Sequence, residues 1–279
     1  MTINDFPSDD TDSAYLIAAW EDAAEEFNAI AVTLDDDEWN QPSKLEGWTV
    51  GDIVAHVAHL DGLLAGEPQA DYAPDWNVLT HAQTPFQKLT EYGVDLRRSR
   101  SQEEVLAELQ HVVDLRREQL ATADTTASFQ FLGAELKFNR IMRRRTLDTW
   151  VHAMDLCFAL DRPQPPQDGP AARVTAGMWI DALPRLLAKE AGAPEGSVLR
   201  LVVTGPDVEF DKSFAVDTGQ RGMFVASTEP AQATITMSWF HFLALAAGRV
   251  PRELIDDEIG IDGDTELAES YLRVINMTP

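Results

Sequence analysis

The chain has 279 residues, 44% of them hydrophobic and 25% charged, which is ordinary globular composition and enough for one large domain or two ordinary ones. A formal net charge of −25 repels nucleic acid and anionic membranes, whose binding rests on Lys and Arg neutralising phosphates; most of the 22 basic residues are arginine. No apolar stretch reaches the length of a membrane span, the acidic start "MTINDFPSDDTDS" lacks signal-peptide character, and the single cysteine, Cys157, excludes an intrachain disulfide. Together these read as a soluble cytoplasmic protein of unknown oligomeric state.

Residues 1–10 read as a frayed tail. From Asp12 to about Leu34, apolar residues recur at helical spacing (Tyr15, Ala19, Ala23, Phe27, Ile30, Leu34) until the acid run and proline of "DDDEWNQPS" end the pattern. "GWTVGDIVAHVAHLDGLLAG" starts a second helix, with Thr49 as N-cap, Asp52 at the third helical position and Gly66 past the end. Residues 67–87 carry prolines and aromatics without a clear period and read as a long ordered loop with room for a short helix. Ser101 to about Ala121 is amphipathic, with Ser101 and Glu104 in a capping-box pattern. "FNRIMRRRTLDTWVHAMDLCFAL" is a fourth long helix.

The texture then changes. "DRPQPPQDGPAA" (161–172) holds four prolines and reads as an interdomain linker. A helix follows over roughly 173–192. "SVLRLVVTG" (197–205) is a β-branched strand ending in a Gly-Pro turn, and 208–216, 222–227 and 232–237 read as further strands. "WFHFLALAAGR" and "DTELAESYLRVIN" read as helices packed on that sheet. The expected architecture is multi-domain α and α+β: a four-helix bundle over 11–162, then a smaller α+β domain over 170–279.

One constellation carries chemistry. Asp148 and His152 stand four apart, on one face of the fourth helix, and can reach one metal ion. Asp155, three residues on, can orient the imidazole through its second nitrogen. A third ligand must come from another helix, and His56, flanked by Ile53, Val57 and Leu60, is the better of the two histidines on the second helix. Two His and one carboxylate with an open position suit catalytic zinc and also non-haem iron. The bland reading stands beside this one. A His on an apolar helix is more often a hydrogen-bonded core residue, and an Asp–His pair four apart is also a simple ion pair on a helix face. His59 reads as a helix-surface neighbour. His81, His111 and His241 have no acidic or histidine partner at ligand spacing. In "MRRRT", one of Arg143, Arg144 and Arg145 must face the same side as Asp148; Arg144 stands four residues before it, and an arginine beside a metal site suits an anionic substrate. Cys157 reads as buried and inert. The chain has no P-loop, G-x-G-x-x-G, G-x-S-x-G or C-x-x-C pattern.

"PSKLEGWTVGDIVAHVAHL" and "RRRTLDTWVHAMDLCFALDRP", in that order, resemble the mycothiol-dependent maleylpyruvate isomerase family, one of the DinB-like metal-binding helical bundles. "VTAGMWIDALP", "LRLVVTG", "ATITMSWFHFLALAAGR", "IDGD" and "VINMTP" resemble that family's C-terminal α+β domain, which is similar to sterol carrier protein folds. The resemblance runs from about residue 12 to the end. It implies a divalent metal, expected to be zinc, on His56, Asp148 and His152. The family usually has Glu where this chain has Asp148, a side chain one methylene shorter. It also implies a role for Arg249, near the C-terminal "GR", toward a substrate carboxylate or the thiol cofactor. The implied chemistry uses a low-molecular-weight thiol, mycothiol, which adds to the activated double bond of an anionic diacid. Rotation about the new single bond and loss of the thiol then give the trans isomer.

Three readings follow. The first is a metal-dependent isomerase or S-transferase that uses mycothiol on a small electrophilic, anionic substrate. The second is a non-catalytic ligand-binding or regulatory protein on the same scaffold. The third is a metal hydrolase, for which Asp52 and His59 are the nearby candidate bases.

Overall fold

We describe a computed structural model of the chain, covering residues 6–131 and 133–278. These divide into two compact units: Asp9–Pro166, and 167–278 together with 6–8. The division falls inside the proline-rich stretch.

The first unit is a helical bundle. Helix α1 (Ser13–Ala31) begins at Asp12, whose carboxylate accepts from the Ala14 amide, and the single turn α2 (Asp36–Trp39) follows. Helix α3 (Val50–Ala65) starts with a capping box between Thr49 and Asp52 and stops at Gly66, whose φ of 81° is the left-handed conformation a glycine supplies without strain. Every residue of α3 from Val50 to Gly62 is buried, so this helix is the centre of the bundle rather than one of its faces. Helix α4 (Pro85–Arg97) and helix α5 (Gln102–Leu120) both pack against α3. A hairpin of β1 (Ser128–Phe131) and β2 (Ala134–Lys137) leads into α6 (Phe138–Ala159), which lies along α1. Leu16, Trp20, Phe27, Ile53, Val54 and Trp150 are almost fully removed from water and form the apolar part of this core.

Two expectations are revised by the structure. The loop expected over 67–87 runs to Thr84; the chain becomes helical at Pro85, and α4, extending to Arg97, is a full element of the bundle. Its buried residues are Thr90, Glu91, Gly93, Val94 and Arg97, so it has no apolar stripe for periodicity to detect. Residues 6–9 are not a frayed tail, because Phe6 packs edge-on against Phe210, Arg173 lies over the Phe6 ring, and Asp9 accepts from Arg143 at 2.6 Å.

The second unit is α+β. Helix α7 (Gly169–Arg185) runs on into a wider turn at Leu186–Glu190. A five-stranded sheet follows, built from β3 (Val198–Thr204), β4 (Phe210–Val216), β5 (Gly222–Val225), β6 (Ala233–Ser238) and β7 (Gly260–Gly263). The order is β5-β4-β3-β6-β7; β3 and β6 are parallel and every other pair is antiparallel. The edge strand β7 was not expected from its short, glycine-flanked sequence "GIDG". Helices α8 (Trp239–Ala246) and α9 (Thr265–Leu272) follow β6 and β7. The interior is aromatic: Phe242 meets Phe210, Trp179 and Trp239, and Phe214 meets Tyr271. Among the described residues, no helix is long and apolar enough to cross a membrane.

Candidate metal centre

The fold brings the three sequence-selected residues together. His56 comes from the middle of α3, and Asp148 and His152 from one face of α6. One donor atom from each lies within 4.8 Å of the others. His56 Nε2 is 3.4 Å from Asp148 Oδ1, and His152 Nε2 is 3.7 Å from the same oxygen. Zinc bonds of about 2.0–2.2 Å in a tetrahedron place neighbouring donor atoms about 3.4 Å apart. The cluster is therefore already near the size of such a site, and its donor set suits a borderline divalent ion.

The two imidazoles are held by different means. Asp155, fully buried, lies with Oδ2 2.9 Å from His152 Nδ1. A carboxylate only accepts, so Nδ1 carries the proton in that bond, and the ring is oriented with Nε2 on the side of Asp148. His56 has no such partner: its Nδ1 is buried without a hydrogen bond among the described residues. Packing holds it instead. The Trp48 indole lies 5.0 Å from the His56 ring, centroid to centroid, and the two imidazoles meet nearly edge-on at 4.9 Å. Trp48 is in turn tethered by its Nε1, which donates to Glu91 Oε2 at 2.7 Å. Glu91, on α4, also accepts from Arg98 at 2.6 Å and lies 2.9 Å from His81 Nε2. The wall of the centre thus depends on α4, the element the sequence did not disclose.

The electrostatics favour ligation. Burial alone would raise the Asp148 carboxyl, but Arg145 chiefly, then His56 and His152, outweigh it and hold it well below the usual carboxylate range. Burial lowers the His56 pKa and outweighs the opposing pull of Asp148, so its neutral form is favoured. An ionised carboxylate beside a neutral imidazole is the protonation state a divalent cation needs.

Each remaining candidate has its own surroundings. The arginine that meets Asp148 is Arg145, at 2.6 Å; Arg144, expected on that face, is exposed. Arg249 belongs to the second unit, where its guanidinium donates to the Ala247 carbonyl. His59 is not a surface neighbour: it is buried against α4, with Nδ1 3.3 Å from Arg97 Nη1. Burial first, then Arg97, push its pKa down to about 3. Asp52 closes the α3 capping box and pairs with Arg98 at 3.1 Å. Neither is placed as a free base for a hydrolase. His81 and His111 do have acidic partners, Glu91 and Glu67, both distant in sequence, and His241 meets Ser238. Cys157 is buried, as read from its neighbours.

Comparison with known proteins agrees with this architecture. Residues 20–157 match the family model of the mycothiol maleylpyruvate isomerase N-terminal domain. The crystal structure of the mycothiol-dependent maleylpyruvate isomerase aligns over 92% of this chain and 95% of its own, at 17% identity and a TM-score of 0.53. A histidine-to-alanine mutant of that protein aligns over the same shares at 16% identity and 0.54. Sterol Carrier Protein 2 Like 2 from Aedes aegypti aligns over 36% of this chain and 99% of its own, at 17% identity, but its TM-score of 0.26 is too low to assign the fold of the second unit. No curated protein matches the sequence. Residues 20–157 thus resemble the N-terminal domain of the mycothiol-dependent maleylpyruvate isomerase family, and 92% of the chain aligns with the fold of that isomerase.

Proposed function

We propose that the protein is a metal-dependent enzyme that uses a low-molecular-weight thiol, mycothiol by family, for isomerisation or S-transfer on a small electrophilic, anionic substrate. The observation that carries this reading is the convergence of His56, Asp148 and His152 at near-tetrahedral separations. Three protein ligands leave one position open, and zinc is the ion this donor set suits. A divalent ion held there lowers the pKa of a coordinated thiol and favours thiolate at neutral pH. The chain's own residues do the rest. Asp155 orients the His152 ring, Trp48 packs beside both imidazoles, and Arg145 keeps Asp148 ionised. Cys157 is buried away from this role, so the reacting thiol comes from outside the chain. Arg249 is the candidate for binding a substrate carboxylate, a role the family resemblance supplies.

The test is metal content of the untagged protein by mass spectrometry, then thiol-dependent turnover of unsaturated diacids and electrophiles. About one zinc per chain is expected from the four-coordinate site. His152→Ala should abolish both metal binding and turnover. Stoichiometric metal in that variant would refute the ligand assignment. No metal and no zinc uptake in the parent protein would favour the non-catalytic binding protein instead.

A further inference from the structure

All three nitrogens of the Arg145 guanidinium have an acceptor. Nε and Nη2 fork onto the two oxygens of Asp61 at 3.2 Å each, Nη2 also donates to Thr149 Oγ1 at 3.1 Å, and Nη1 donates to Asp148 Oδ2 at 2.6 Å. The Arg145 and Asp61 side chains are 1% and 0% exposed. Asp61 belongs to α3 and Arg145 to α6, so one ion pair ties together the two helices that carry the candidate ligands. A buried pair of this kind is a weak source of stability, because its desolvation penalty rivals its attraction. Its geometry has a second product, the fixed orientation of Asp148.

We infer that Arg145, fixed by Asp61, is a positioning residue that engages Oδ2 of Asp148 and so presents Oδ1 as the single carboxylate oxygen offered to a metal ion. The inference rests on the metal reading above. Both oxygens lie 3.4 Å from His56 Nε2, so distance to that histidine does not choose between them. The guanidinium does. An oxygen that accepts a short charge-assisted bond has its charge drawn toward that donor, and a bidentate approach of the carboxylate would have to break the bond. Oδ1 is also the oxygen paired with His152 Nε2, at 3.7 Å. Asp148 then counts as one donor. With two imidazoles the site has three single-atom ligands and accepts one exogenous ligand at a small, four-coordinate ion. A carboxylate freed from Arg145 chelates through both oxygens and raises the coordination number, leaving a different vacancy for the incoming thiol or water.

Cobalt(II) reads this directly, because four-coordinate cobalt absorbs visible light far more strongly than five- or six-coordinate cobalt. The full-length protein loaded with Co2+ should show the intense four-coordinate spectrum. Arg145→Met strands the Asp61 charge in the core, so the informative variant is Arg145→Met with Asp61→Leu, which removes both charges together. It should still bind cobalt but give a weaker, higher-coordinate spectrum, and its zinc affinity should fall by about 10- to 100-fold, as for loss of other groups that orient a ligand. A purely structural role for the pair would change melting without changing the spectrum. A wild-type spectrum of five- or six-coordinate type overturns the inference, whether or not the double variant folds. So does a folded double variant with the wild-type spectrum and affinity. Absence of cobalt uptake by the wild type overturns the metal reading and this inference with it; uptake with the wrong spectrum overturns the inference alone.

Discussion

In the bundle, the buried side chains include Asp52, His56, Asp61, Glu91, Arg97, Arg145, His152 and Asp155. In the second unit, among the described residues, the buried polar side chains are Thr175, Ser197 and Ser213, and none is charged. Burying charge costs free energy that apolar packing does not, so a fold with no use for it excludes it. The second unit is held by aromatic contacts that tolerate small shifts. The bundle is held in part by directional bonds that fix particular atoms, and those of Arg145, Asp155 and Glu91 lie beside the candidate ligand cluster or the indole that packs on it. The difference puts the buried charge of the molecule, the candidate ligands included, in the bundle.

The contrast can be broken from either side. The largest effect is expected in the second unit. Phe242, fully buried among Phe210, Trp179 and Trp239, leaves a large cavity when shortened. Phe242→Ala should cost about 3–5 kcal/mol in denaturant unfolding, as large-to-small changes in cores do. Zinc affinity of the folded variant should be unchanged, and a parallel loss of zinc would show that the aromatic core also sets the centre. A smaller energy but a sharper chemical effect is expected at Trp48. Trp48→Ala removes the packing that stands in for a hydrogen bond on His56, and should weaken zinc binding by about 10-fold or more, measured by competition with a chromophoric chelator. Unaltered affinity would mean the indole is a bystander.

The smallest effect is a slope. The His59 pKa is about 3 in the fold against an ordinary value of 6.5, so between those pH values the unfolded chain binds the extra proton. Stability from this group is fully present above pH 6.5 and declines as pH falls, by up to about 1.4 kcal/mol per unit. His59→Gln should flatten the dependence of the unfolding midpoint between about pH 6.5 and 5 in metal-free protein. Identical slopes in the two proteins would rule out His59 as the source.

The limits of the sequence reading trace largely to one helix. Helices α3 and α5 declared themselves through their caps, and α6 and the β-branched strand β3 through their residue patterns. Helix α4 did not, because it buries Thr90, Glu91 and Arg97 where a stripe of leucines would be expected. Its start was nonetheless written in "TPFQ", a Thr84–Gln87 capping box with proline at the first helical position. Missing α4 made His59 look like a surface residue, because the helix that covers it was absent from the reading. Gly93 lets α4 come that close: a Cβ there would lie 2.1 Å from the His59 ring. The choice between Arg144 and Arg145 was a different kind of failure. Spacings of three and four both place an arginine near Asp148, and only Asp61 on α3 decides which one turns inward.

Cys157 bears on how the protein can be handled. It is the only sulfhydryl in the chain, it is buried, and burial raises its pKa away from thiolate. Incubation with a small thiol or its disulfide therefore finds little sulfur to exchange with on the folded protein. A thiol that stays with the chain through gel filtration but leaves its intact mass unchanged is held by coordination or by shape. The same inertness permits a single engineered surface cysteine to be labelled selectively, without first replacing the natural one.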